Sequence, residues 1–161
     1  MENVIQPLVS VIMPAYNVEQ YLAQSVDSVL GSDYPNLELV IVDDGSKDCT
    51  FEIAKSYEAK DCRVKALTKV NGGQGIARNY GVEHSSGEYI LFVDSDDLIN
   101  SEYISKAVAE MERDGEVKVV TCRGEFFDGR TVFCCHAGAE LDIFLFHDCS
   151  SKICTCGVPP L

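Results

Sequence analysis

The sequence is short of positive charge. Its 161 residues carry 13 Lys and Arg against 26 Asp and Glu, a formal net charge of −13. That excludes a general nucleic-acid binder, because neutralising phosphates and releasing their counterions takes clustered Lys and Arg. It also makes an anionic ligand costly to hold unless a cation or a local positive field helps. Long apolar runs are missing too. None approaches the ~20 residues of a membrane-spanning helix, so no membrane segment is expected in this chain. The start, "MENVIQPLVSVIMPAYN", lacks the basic stretch and small-residue cleavage site of a secretory leader. The expectation is a cytoplasmic chain whose eight cysteines are reduced thiols rather than disulfides. Internal repeats and low-complexity tracts are absent.

What is there suffices for a core: 46% of the residues are apolar. "LVSVIM" (8–13), "LELVIV" (37–42) and "EYILFV" (88–93) are short, nearly continuous apolar runs, the pattern of strands buried on both faces. "RVKAL" (63–67) is a weaker strand, and "VKVVTC" (117–122) and "GRTVFCC" (129–135) are further candidates. Between them lie helical spacings. Asn17 with Gln20 forms a capping-box-like pair before Leu22, Val26, Val29 and Leu30, with Gly31 as the stop. Asp48 or Ser46 is placed to cap a second helix whose apolar face holds Ile53, Ala54 and Tyr57. "NGGQGIARNYGVEHSSG" turns helical after its glycines, with Ile76, Tyr80 and His84 in i, i+4 succession. A helix over 101–113 carries Ile104, Val108 and Met111. This alternation predicts an α/β fold: a Rossmann-like, mostly parallel sheet with helices on both faces.

In such sheets ligands bind beyond the carboxyl ends of the strands. Three strands end there in unusual polar sequence: "PAYN", "DDGS" and "DSDD". The last is the most demanding, because an apolar strand runs into Asp94, Asp96 and Asp97 with only Ser95 between. Hard divalent cations, Mg2+ and Mn2+, take such carboxylates and share their coordination with waters and phosphates. A turn that caps the following helix also uses Asp, and the stretch alone does not choose. Asp43 and Asp44 open "DDGS", where an Asp accepts from a ribose or base or simply makes an Asp-Gly turn. Gly72, Gly73 and Gly75 precede a helix N-terminus and Arg78, an arrangement that can cradle phosphate. Tyr16 can stack on a base or pack between strand and helix.

Taken together and in order, "VSVIMPAYNVEQYLAQSVDSVL", "LVIVDDGSKDCT" and "NGGQGIARNYGVEHSSGEYILFVDSDD" resemble the nucleotide-sugar-binding half of a family 2 glycosyltransferase with the GT-A fold. The resemblance runs from about Leu8 to Val120. It implies that Pro14, Ala15 and Tyr16 line the base and ribose of a nucleotide-sugar donor, often UDP-linked. Asp44 would bond the base and Asp43 support that strand end. Gly73 and its loop, with Arg78, would face the diphosphate. Asp94, Ser95 and Asp96 would be the DXD motif, with Asp96 nearest the metal, Mn2+ or Mg2+, and Asp97 sharing the contact. It also implies inverting transfer to a glycan or lipid-linked saccharide, in a setting such as surface polysaccharide biosynthesis at the inner face of the membrane.

The resemblance fades after "VKVVTCRGEFFDGR". The division expected is a GT-A domain over 1–125 and a Cys-rich tail over 126–161, the remnant of a truncated or irregular acceptor side. A catalytic base belongs downstream of DXD, but Glu125, Asp128, Glu140, Asp142 and Asp148 stand in no recognisable setting. Two other readings remain open. One is a nucleotide-sugar-binding domain without transfer activity. The other is a zinc-binding interaction module through Cys134, Cys135, His136, His147, Cys149, Cys154 and Cys156, although no CxxC pair occurs among them.

Overall fold

The computed structural model describes residues 6–113 and the backbone of four later strands, 119–120, 123–127, 130–134 and 145–147. In chain order the elements are β1 (Val9–Ala15), α1 (Leu22–Leu30), β2 (Leu37–Asp43), α2 (Thr50–Glu58), β3 (Val64–Thr68), α3 (Gln74–Glu83), β4 (Tyr89–Phe92), β5 (Leu98–Ile99), α4 (Tyr103–Arg113), β6 (Val119–Val120), β7 (Arg123–Phe127), β8 (Arg130–Cys134) and β9 (Leu145–His147). The main sheet has the order β3-β2-β1-β4-β9-β6, and a second has the order β5-β8-β7. The first four strands are parallel, and β9 runs antiparallel to β4. The fold is therefore the α/β, mostly parallel class expected from the alternation.

The alternation of side chains along β1 shows why its run is apolar but for Ser10, whose buried hydroxyl donates to Glu38 Oε1 and accepts from the Gly87 amide. Val9, Val11 and Met13 point into a large core with Leu22, Val26 and Val29 of α1 and Ile104, Ala107 and Met111 of α4. Ile12 points to the opposite face, where it meets Val40, Val42, Ile90, Phe92 and Ala77 of α3. A strand covered on both faces has no polar side to show. Each fully buried Leu, Ile or Val contributes roughly 1.5–3 kcal/mol relative to exposure.

The sheet opens where the ligand-binding edge is expected. β1 pairs with β2 as far as Ala15↔Asp43, but its pairing with β4 stops at Ile12↔Phe92. Pro14 falls just beyond that point, and with no N–H it has nothing to donate to a neighbouring strand. The chain passes from β1 outward to β2 and β3, then returns to the other side of β1 as β4. This reversal makes the carboxyl end between β1 and β4 the switch point of the fold.

Several local expectations change. Asn17 does not cap a helix: its φ is 52, and α1 begins only at Leu22. Its side chain instead accepts from the Lys47 amide at 2.9 Å, while its own amide donates to Ser46 Oγ at 3.0 Å. Asp48 does serve the start of α2, accepting from the Thr50 amide at 3.1 Å. In α3 the buried face is Ala77 and Gly81, not the row through Ile76, which is 55% exposed. The helix lies too close to the sheet for larger residues. A Cβ on Gly81 would overlap Ile12 Cγ2 and stand 3.1 Å from Val42 Cγ2. β5 and β9 were not foreseen, and they pair with β8 and β4.

Candidate donor-binding site

The acids predicted for the site all lie at the carboxyl edge, but the fold treats them unequally. Asp43 and Asp44, at the end of β2, are buried. Asp43 accepts from the Ser46 amide at 3.1 Å and from Thr68 Oγ1 at 2.8 Å, which closes the "DDGS" turn against β3. Asp44 is tied to β1 through its amide, which donates to the Ala15 carbonyl at 2.8 Å. Its carboxylate is surrounded by donors. Lys69 Nζ approaches Oδ1 at 2.5 Å, the Gly72 amide reaches Oδ1 at 3.0 Å, and the Gly73 amide reaches Oδ2 at 2.7 Å.

Burial pushes the Asp44 carboxyl up. The Lys69 ammonium and the Gly73 and Gly72 amides outweigh that and hold it below the usual carboxylate range. Asp44 is thus an ionised, acceptor-only group with its ion pair shielded from water. Gly73, with φ 91, can turn its amide toward this carboxylate and still start α3. Two of the glycine amides expected to face a phosphate are therefore turned to Asp44. Lys69 was missed in the sequence. Its signal was its place three residues before Gly72 of the glycine loop, since a buried acid requires a cation nearby.

The second acidic group follows β4. The Asp97 amide donates to the Asp94 carbonyl at 3.0 Å, so "DSDD" is a turn. It caps no helix, because α4 begins only at Tyr103. Ser95 is buried, and its carbonyl accepts from Ser25 Oγ of α1 at 2.8 Å, which anchors the turn. Asp94 is half-buried. Its Oδ1 accepts from Arg78 Nη2 at 2.7 Å and from Gln74 Nε2 at 2.8 Å. The Arg78 guanidinium also lies over the Phe92 ring, 5.6 Å from its centroid, and its buried Nε has no partner among the described residues. Asp96 is exposed. Tyr16, beyond the end of β1, is 45% exposed, enough to offer a ring face to a ligand.

The donor set suits a hard divalent cation. Among the described residues, no three His, Cys, Asp or Glu side chains form a closed cage. Mg2+ and Mn2+ do not need one, being held by one or two carboxylates together with waters and phosphate oxygens. Exposed Asp96, with Asp97 next to it, meets that description. The proposed zinc ligands and the downstream acids Glu125, Asp128, Glu140, Asp142 and Asp148 lie outside the residues whose side chains are described. Among the described residues Cys49 and Cys62 are free thiols, and no helix is long and apolar enough to cross a membrane.

An open parallel sheet with acids at the carboxyl ends of the strands flanking β1 is the GT-A class of α/β domain. The description "Glycosyl transferase family 2" matches residues 10–133, and the chain belongs to that family. A glycosyltransferase of Haemophilus influenzae is 48% identical over 101 residues, covering 62% of this chain and 40% of its own length. Glycosyltransferase EpsJ of Bacillus subtilis is 38% identical over 116 residues, covering 72% of this chain and 33% of its own. The chain thus spans well under half the length of these relatives. Among solved structures, S. aureus TarS 1–349 in complex with UDP-GlcNAc superposes with a TM-score of 0.69 at 36% identity, over 76% of this chain and 36% of that one. The mannosyltransferase PcManGT of Pyrobaculum calidifontis, in complex with GDP-Man and Mn2+, gives 0.68 at 26% identity, over 76% and 37%.

Proposed function

We propose that this chain binds a nucleotide-sugar, UDP-linked, together with Mn2+ or Mg2+, as the donor side of an inverting glycosyltransferase acting on a glycan or lipid-linked saccharide. The observation that carries the reading is the contrast at the sheet edge. Asp44 is already paired and fixed as an acceptor, whereas Asp96, after the strand on the other side of β1, stands exposed in a strongly acidic chain. The solved relatives bound to UDP-GlcNAc and to GDP-Man with Mn2+ support the same reading.

In this reading Pro14, Ala15 and Tyr16 form the wall against base and ribose, with Tyr16 stacking on the base. The ionised Asp44 accepts a base N–H, and Asp43 holds the turn beneath it. Arg78 and the glycine loop lie on the diphosphate side. Asp94 and Ser95 set the turn that presents Asp96 and Asp97 to the metal. When bound, the cation supplies Lewis-acid stabilisation of the negative charge that develops on the departing nucleoside diphosphate. The chain's own residues orient the donor so that an acceptor hydroxyl, deprotonated by a carboxylate, meets the anomeric carbon from the opposite face.

Calorimetric titration of UDP into the whole chain, with Mn2+ and then with EDTA, tests this. Binding is expected to be measurable in EDTA, to tighten strongly with Mn2+, and to lose that metal-dependent gain in Asp96→Ala. A folded wild-type chain that binds no nucleotide under either condition would overturn the reading.

A further inference from the structure

One contact at the site has no place in that scheme. Gln74 is the first residue of α3, and its side chain donates to Asp94 Oδ1 at 2.8 Å. Arg78 lies one helical turn later on the same face, and its Nη2 donates to the same oxygen at 2.7 Å. Both donors converge on Oδ1, so Asp94 Oδ2 has no partner among the described residues. The residue immediately before Gln74 is Gly73, whose amide donates to Asp44 at 2.7 Å. Two consecutive residues therefore grip two acids that end different strands. Those strands, β2 and β4, lie on opposite sides of β1 and do not touch each other in the sheet. The first turn of α3 bridges them, and Ala77 and Gly81 seat its later turns on the sheet beneath.

We propose that Gln74 is a positioning residue that couples the two acidic ends of the site, so that nucleotide held at the Asp44 end is bound more tightly when a divalent cation occupies the Asp96 end. The inference rests on the reading of the site given above. Arg78, seated over Phe92, supplies charge to Asp94 through a single Nη2 contact, about which the carboxylate can still turn. A second donor on the same oxygen fixes the carboxylate's rotation and with it the turn that carries Asp96. Because Gln74 adjoins Gly73, ordering at one end is transmitted to the other through a single rigid helix turn. A coupling of this kind is a ratio of affinities and acts equally in both directions.

The ratio of the UDP Kd in EDTA to the UDP Kd in saturating Mn2+ measures it. Gln74 is exposed, so replacing it is expected to leave the fold intact. Gln74→Met keeps the length of the side chain and removes the donor. Its Kd in EDTA is expected to stay within about twofold of wild type while the ratio falls about tenfold, the size of one hydrogen bond to a charged group. Gln74→Lys, which restores a donor of similar reach, is expected to recover the ratio. An unchanged ratio in Gln74→Met overturns the proposal. So does an equal loss in Mn2+ and EDTA, which would make Gln74 a general structural contact. If wild type binds no nucleotide at all, the reading of the site falls and the coupling with it. That outcome differs from wild-type binding that Gln74→Met fails to alter.

Discussion

The acids at the end of β2 and those after β4 have the same charge, similar sequence settings and one paired cation each, yet the fold buries only the first. Asp43 and Asp44 are buried, and each has donors on its carboxylate from β3 or the loop that follows. Asp94 is held by Arg78 and Gln74 on one oxygen, and Asp96 projects into solvent. The first pair is part of the protein's stability. The second leaves Asp96 exposed, and in a chain of net charge −13 that exposure is the ground for the cation site proposed above.

Replacing the inner acid should break this contrast with the largest effect. Asp44→Ala leaves Lys69 and two loop amides without their acceptor, with Lys69 only 15% exposed. A loss of about 3–5 kcal/mol in urea unfolding is expected, the range for removing one partner of a buried pair. Gly81→Ala comes next. It forces α3, the helix that serves both acids, off Ile12 and Val42. The cost should be about 1–3 kcal/mol, and UDP affinity should fall with it.

A smaller effect is in pH dependence. Asp44 has a folded pKa held below its unfolded value. Its contribution is therefore fully present above the unfolded pKa of about 3.9 and is lost as the pH falls through the lower folded value. Stability of the wild type should drop over that acid range, and Asp44→Asn should show a shallower slope. The smallest effect sharpens the contrast from the other side. Asp96→Ala, although expected to abolish metal-dependent binding, should change unfolding free energy by less than about 0.5 kcal/mol.

The parts of the molecule that were legible in sequence are those governed by local pattern. β1, β2 and β4 were readable because strands covered on both faces are almost continuously apolar, interrupted here only at Ser10, Glu38 and the closing Asp43, and α4 because Ile104, Val108 and Met111 recur on one side. The acids were readable because charge at the end of such a run needs a reason. What was not legible depends on distant approach. Lys69, Thr68 and Gln74 reach carboxylates 20 to 25 residues away. The buried face of α3 was not legible either: the i, i+4 row through Ile76 is what the sequence displays, whereas close contact with Ile12 selects Ala77 and Gly81. Asn17 has the composition of a cap, but a network with Ser46 and Lys47 holds it in a left-handed turn instead.

The switch of direction at β1 also favours one order of assembly at the edge over the other. Val9 pairs with Leu37 on one side and with Tyr89 on the other. The second pairing closes a loop about three times as long, at an entropic cost about 1 kcal/mol greater. Closing β1 on β2 brings in Asp44, but the Asp94–Asp97 turn takes its place only when the longer loop closes. A nascent chain that has not yet reached Tyr89 can hold one acid pair but has nothing to face it across β1.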